Sequence, residues 1–272
     1  VDVAAYLPKD LFAGKPVFVT GGGSGINLGI AKCFAALGAD VAICGRTAER
    51  LENAAVELRA LGARVSTAVA DVRNLDAVKA ALSKSREDLG PAYTVVCGAA
   101  GNFVARAETL TSNGFRAVME IDLLGSFHAS LAAFEQLRET RGNLIFVSAG
   151  QGSHPYAFQA HVGAAKAGVD NLMRNLALEW GRHGIRSNAI IPGPIEGTEG
   201  MRRLAGAVDA ETRYRSIPLG RYGSVEDIGA MAAFLASPLA SYVTGATVVV
   251  DGGSGLAGSA TFNASIEAAL GP

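Results

Sequence analysis

Cysteine is scarce in this chain of 272 residues, with one each at Cys33, Cys44 and Cys97. An odd number of separated thiols supplies neither a disulfide framework nor the CxxC pair of a zinc site, and their apolar surroundings mark them as buried thiols suited to a reducing compartment. Charge of one sign is lacking too: 24 Lys and Arg stand against 25 Asp and Glu, for a net charge of -1. No global field exists to hold a polyanion, so nucleic acid is not an expected partner. The four histidines, His128, His154, His161 and His183, are dispersed without ligand spacing, and no metal site is expected. No run reaches the ~18 apolar residues of a membrane span. The first segment, VDVAAYLPKDLFAGK, has no basic region followed by an apolar stretch, which leaves no expected membrane association. Disorder is excluded by composition, since 49% of residues are hydrophobic and only 18% charged.

What the chain has in excess is glycine, 34 residues clustered at the ends of apolar runs. Short β-branched runs alternate with longer helical patterns throughout, the signature of βαβ units and a parallel sheet covered on both faces. Strands are predicted at Pro16 to Thr20, Asp40 to Cys44, Arg64 to Ala70, Thr94 to Cys97, Asn143 to Ser148, Arg186 to Ile191 and Thr247 to Val250. Core faces at helical spacing lie between them, as at Ile30, Phe34 and Leu37, or Val169, Leu172, Leu176 and Trp180. No linker breaks the alternation. The expected fold is α/β, one doubly wound domain over residues 1–272 with a seven-stranded parallel sheet of Rossmann type, its ligand outside the carboxyl ends of the strands.

The first strand runs into Thr20-Gly21-Gly22-Gly23-Ser24-Gly25-Ile26 and then a helix. Such glycines allow close backbone approach, and free N–H groups at a helix start point at an anion, so the loop reads as a diphosphate cradle. The spacing is TGxxxGxx, with Asn27 where a third glycine is expected. After the second strand the chain reads Cys44-Gly45-Arg46-Thr47, with no carboxylate to hold a ribose diol. Arg46 offers a planar, permanently charged fork that suits a 2′-phosphate, which points to NADP(H) over NAD(H). The competing role for Arg46 is a surface ion pair with Glu49 or Glu52. Asp71-Val72 and Gly98-Ala99-Ala100-Gly101 end the third and fourth strands at the same edge.

These segments, with Pro192-Gly193-Pro194-Ile195 and Asp251-Gly252-Gly253 after the last two strands, resemble the short-chain dehydrogenase/reductase family over nearly the whole chain. The resemblance implies a nicotinamide site that includes Asp71, Val72, Ala99, Ala100, Gly101, Pro192, Gly193, Ile195 and Thr198, with the Ile195 backbone meeting the carboxamide. That family reduces ketones with a YxxxK pair and a serine, because hydride addition to C=O leaves an alkoxide that must be protonated. Here the lysine is Lys166, but Val162 stands four residues before it and Ala149 seventeen before it. Both proton-handling groups are missing.

Hydride addition to a conjugated carbon–carbon double bond needs no such tyrosine, since donors on a thioester oxygen stabilise the enolate. The segments Ala99 to Phe103, Ile121-Asp122, Gln159 to Lys166 and Pro192 to Gly200 look like the 2,4-dienoyl-CoA reductases, especially the peroxisomal type. That resemblance implies NADPH-dependent reduction of a 2,4-dienoyl-CoA to a 3-enoyl-CoA, with Lys166 on the nicotinamide ribose and Asp122 orienting water or Lys166. Asn102, Phe103, Ser148, Gln151, Tyr156 and His161 are candidates to face substrate. A lid around 196–215 brings Arg202 and Arg203, which suit either CoA phosphates or a solvated helix face. Two other readings stay open: a carbonyl reductase of the same fold that uses Tyr156 or a water relay, and a nucleotide-binding scaffold without turnover. Relatives pair the helices around Gly114 to Leu137 and Gly163 to Arg182 across two-fold axes, which implies a homotetramer. The sequence ends Ala-Leu-Gly-Pro and not in a peroxisomal address, so a cytoplasmic location is expected.

Overall fold

The computed structural model describes residues 2–198 and 217–259. Seven strands form one sheet: β1 (Val17–Thr20), β2 (Val41–Gly45), β3 (Val65–Val69), β4 (Thr94–Cys97), β5 (Asn143–Val147), β6 (Arg186–Pro192) and β7 (Thr247–Val250). Their order is β3-β2-β1-β4-β5-β6-β7, and every neighbouring pair is parallel. Each predicted strand is present, its bounds within one residue of the expected ones. The order reverses between β1 and β4, which opens a crevice at their carboxyl ends where a doubly wound sheet takes its ligand.

Two layers of helix cover the sheet, and strand alternation sorts the side chains between them. Val17, Val19, Ile43 and Val96 face the layer of α1 (Gly25–Ala36), α2 (Ala48–Ala60) and a helix here called α7 (Val225–Ala236), meeting Ile30, Phe34, Leu58 and Ile228. Phe18, Val95, Leu144 and Phe146 face α3 (Leu75–Leu89), α5 (Gly125–Thr140) and α6 (Ala160–Trp180), meeting Leu82, Leu137, Val169 and Met173. Each such fully buried side chain contributes roughly 1.5–3 kcal/mol. Cys33, Cys44 and Cys97 are free and lie in these layers, where burial pushes each thiol up to about 12.

A short helix, α4 (Ser112–Val118), runs through a π-helical turn, Met119–Leu124, into α5. By length and apolarity the continuous stretch Ser112–Thr140 passes for a membrane span. Its packing is that of a core helix. Ser126 and Ser130 are buried and bond back to the helix, and Gln136 accepts from the Ala92 N–H and donates to the Leu82 carbonyl.

Candidate active site

The glycine-rich loop lies at the crevice because β1 delivers it there. Gly21 takes φ +68°, and a side chain on it would meet the Ala99 backbone at 3.1 Å, so this turn admits only glycine without strain. Asn27 replaces the expected third glycine without opening the loop. Its Nδ2 donates to the Gly98 carbonyl at 2.8 Å and, more weakly, to that of Gly21 at 3.4 Å, which ties the loop to the end of β4. Gly98 is glycine because any side chain there would overlap the Asn27 amide. Thr20 Oγ1 accepts from the Gly98 and Ala99 N–H groups, locking β1 to β4. The α1 amino terminus follows at Gly25, so the positive end of a 12-residue helix faces the crevice.

Arg46 is exposed at the end of β2 and makes no ion pair or hydrogen bond among the described residues, while Glu52 is occupied by Thr67. The alternative pairing with Glu49 or Glu52 is not formed. Asp71 is held by Arg73 through a 2.6 Å contact to Nη2 and a 3.0 Å bond to the backbone N–H. That Arg73 hydrogen bond keeps the Asp71 carboxyl below its ordinary range, with the Arg46 charge adding to the effect.

Lys166 and Asp122 are the buried ionisable pair of the crevice. Lys166 Nζ donates to the Val147 carbonyl at 3.0 Å and lies 3.2 Å from Asp122 Oδ2. The latter contact has ion-pair distance without hydrogen-bond alignment. Asp122 Oδ1 accepts from the Gly101 N–H at 2.7 Å. The π-helical turn carries Asp122. Around this pair the expected phenol and hydroxyl are absent: Val162 packs with Val118 and Ala165, and Ala149 sits where β5 leaves the sheet. Beside them an amide chain runs from Gln151 Nε2 to Gln159 Oε1 at 2.7 Å and from Gln159 Nε2 to Asn102 Oδ1 at 3.1 Å.

Residues 21–255 match the family model described as enoyl-(acyl carrier protein) reductase. The chain belongs to that family, within the short-chain dehydrogenases/reductases. It is 46% identical over 248 residues to the peroxisomal (3E)-enoyl-CoA-producing 2,4-dienoyl-CoA reductase of Saccharomyces cerevisiae, covering 90% of this chain and 85% of that one. A probable (2E)-enoyl-CoA-producing 2,4-dienoyl-CoA reductase of Bacillus subtilis is 41% identical, covering 89% and 97%. An NADPH-bound short-chain oxidoreductase of Pseudomonas aeruginosa with an atypical catalytic centre superposes with a TM-score of 0.82 at 32% identity, covering 89% and 97%. As a short-chain dehydrogenase/reductase the protein uses a nicotinamide nucleotide, NAD(P)(H).

Within this short-chain reductase the remaining sequence candidates divide by place. Gly193 and Ile195 follow β6 at the crevice, Ile195 bridging to Gly223 and its carbonyl accepting from Thr198 Oγ1 at 2.9 Å. Phe103 stacks on His161, with ring centroids 4.3 Å apart. Tyr156 is 51% exposed, its hydroxyl beside Gly150 on the rim. Ser148 is buried and faces Asp170 without reaching hydrogen-bond geometry. Arg202, Arg203 and most of the lid around 196–215 lie outside the described residues. Sequence reasoning did not single out Gln159 and Asp170. Gln159 holds the amide chain together. Asp170 is a buried acid one turn beyond Lys166 whose carboxyl burial pushes up, against the pull of Ser148, Arg174 and Lys166. Its place four residues after Lys166, on the same face of α6, was the available signal for Asp170.

A hollow of about 440 Å³ at the amino ends of the strands, lined by Tyr93, Arg141, Arg186 and Thr244, is remote from this constellation.

Proposed function

We propose that the protein is an NADPH-dependent reductase of 2,4-dienoyl-CoA thioesters that yields 3-enoyl-CoA. The observation that carries this reading is Val162 and Ala149 beside a buried Lys166–Asp122 pair: the site keeps its charge and has lost both groups that quench an alkoxide. The glycine cradle fits a dinucleotide, with Gly21, Ser24, Gly25 and Ile26 at the diphosphate. Asp71, Val72, Ala99, Ala100 and Gly101 line the adenosine, and Pro192, Gly193, Ile195 and Thr198 the nicotinamide. Arg46, with no ion pair or hydrogen bond among the described residues, fits the 2′-phosphate. When bound, the reduced cofactor supplies a hydride.

A dienoyl thioester that accepts hydride at C5 shifts its C4=C5 pair to C3=C4 and its C2=C3 pair to C1=C2, leaving charge on the thioester oxygen. Lys166 holds the nicotinamide ribose and keeps a positive field near that charge, while Asp122 orients Lys166 and a water to protonate C2. Protonation at C2 gives the 3-enoyl product named for the yeast relative; protonation at C4 gives the 2-enoyl product named for the Bacillus one. Asn102, Phe103 and Gln151 border the acyl chain in this reading. Three buried free thiols suit the cytoplasm. A homotetramer is the proposed assembly.

The test is oxidation of NADPH followed by absorbance with 2,4-hexadienoyl-CoA beside acetoacetyl-CoA, with the product identified by NMR. Turnover of the diene and formation of 3-hexenoyl-CoA are expected. Turnover of the ketone alone would move the assignment to a carbonyl reductase using Tyr156, and binding of NADPH without turnover of either would make the protein a scaffold.

A further inference from the structure

His161 stands in the first turn of α6 at 0% exposure, and neither ring nitrogen has a hydrogen-bond partner among the described residues. A neutral imidazole carries one donor and one acceptor nitrogen, and sealing both from water unmet opposes folding. The polar groups nearby in sequence are taken. Gln159 is spent on Gln151 and Asn102, and Lys166 on Val147 and Asp122. One side of the ring lies against Phe103, and Ala165, one helical turn on, packs with Val118 and Val162. Both ring nitrogens are therefore buried without a partner among the described residues, and the amide chain leaves them over for a bound group.

The position says what that is. His161 immediately precedes Val162, the place from which carbonyl reductases aim a phenol, and it touches the loop of Asn102 and Phe103 that borders the acyl chain. The first N–H groups of the 21-residue α6 have no intrahelical partners and give this corner a positive potential. A group bearing developing negative charge, within reach of the residue before Val162, satisfies both the imidazole and the helix end.

We propose that His161 is a further catalytic residue, whose imidazole N–H donates a hydrogen bond to the thioester oxygen of the bound dienoyl-CoA as the dienolate forms. The inference rests on the dienoyl thioester reading. No bond to His161 is made or broken: the C=O π pair moves onto oxygen, the N–H is shared with it, and the proton that ends on C2 comes from a water at the Asp122–Lys166 pair, which takes a replacement proton from the Lys166 ammonium, itself reprotonated from solvent. The imidazole thus stands in for the hydrogen-bonding half of the missing tyrosine and leaves the proton-transfer half to Lys166.

The experiment compares His161→Phe, which preserves the stack on Phe103, with His161→Gln, which restores a donor. It also follows the wild-type imidazole ¹⁵N resonances as hexanoyl-CoA, which cannot be reduced, is added to the NADP-bound protein. Expected are a kcat lower by about a hundredfold in the Phe variant, the scale of losing one oxyanion donor, partial recovery in the Gln variant, NADPH affinity unchanged in both, and an imidazole resonance that moves with acyl-CoA. A folded Phe variant with wild-type kcat, a Gln variant no better than Phe, or an imidazole blind to hexanoyl-CoA overturns the proposal. If the Phe variant does not fold, the wild-type resonances decide. A wild-type protein that binds hexanoyl-CoA but does not turn over any dienoyl-CoA sinks the underlying reading instead.

Discussion

Asp122 divides its two oxygens between structure and charge, and substitutions can separate them. Oδ1 holds the Gly101 N–H, and Oδ2 faces Lys166. Asp122→Asn keeps an acceptor for Gly101 and removes the charge, so kcat for the diene should fall by about ten- to a hundredfold, and stability falls as well because the buried Lys166 loses its counter-charge. Asp122→Ala also leaves that N–H without its acceptor, which costs about 1–3 kcal/mol when the group is buried. Steady-state kinetics and urea unfolding of the pair check this, and equal stability losses would refute the division. At Arg46 the expected result is selective: Arg46→Ala weakens NADPH by about tenfold or more and NADH hardly at all, because only the former presents the extra phosphate. Isothermal titration with both nucleotides measures it. Arg46, Lys166, Val162 and Ala149 were legible in the sequence because each is fixed by distance along the chain from a strand end or from the lysine. Gln159 was not, since its role is to join Gln151 to Asn102, 57 positions away, and Asp170 was hidden inside an apolar periodicity.

Among the elements, strands were the most legible, because short, largely apolar runs such as Val17–Thr20 and Asn143–Val147 are buried on both faces and followed by glycine or polar residues. The π-helical turn at Met119–Leu124 was not, since one extra residue per turn barely disturbs an apolar pattern that continues from α4 into α5. Asn27 shows the same limit from the other side: its tie to Gly98 preserves a turn that the glycine count alone left in doubt. The start of α7 offers an element-scale prediction. Ser224 caps Asp227 N–H and the Asp227 carboxyl caps the Ser224 N–H, a reciprocal capping box, while Arg221 hydrogen-bonds the same carboxyl and, with that box, holds it down at about 2. A carboxyl depressed in the folded state stabilises fully above its unfolded value near 4 and ceases to do so as pH falls toward 2. Ser224→Ala should cost about 1 kcal/mol at neutral pH. Asp227→Asn should destabilise at pH 6 and converge on the wild type near pH 2, measured by urea midpoints across that window.

For the whole molecule, the outer face of α5 and its neighbours is what the folded chain leaves unfinished. Leu124, Phe127 and Leu131 are 40%, 40% and 42% exposed at helical spacing, and a hollow of about 390 Å³ beside them is lined by Met119, Leu123, Phe127 and Leu172. The broad apolar faces of the helix around Gly114 to Leu137 are legible in the sequence; which of them the sheet has already claimed is shown only by the fold. In the proposed tetramer the stripe is covered by its two-fold mate, since an isologous contact presents the same apolar residues to each other. Burial of two such faces on the scale of a standard interface, about 1,200–2,000 Å², is undone by a charge at the centre. Phe127→Glu places two carboxylates opposite each other across the axis, and sedimentation velocity should then record a species of half the wild-type mass. Phe127 is outside the Lys166–Asp122 crevice, so NADPH affinity should survive the change. A wild type that sediments as a monomer, or a Phe127→Glu variant that keeps the wild-type mass, would show that α5 does not join subunits.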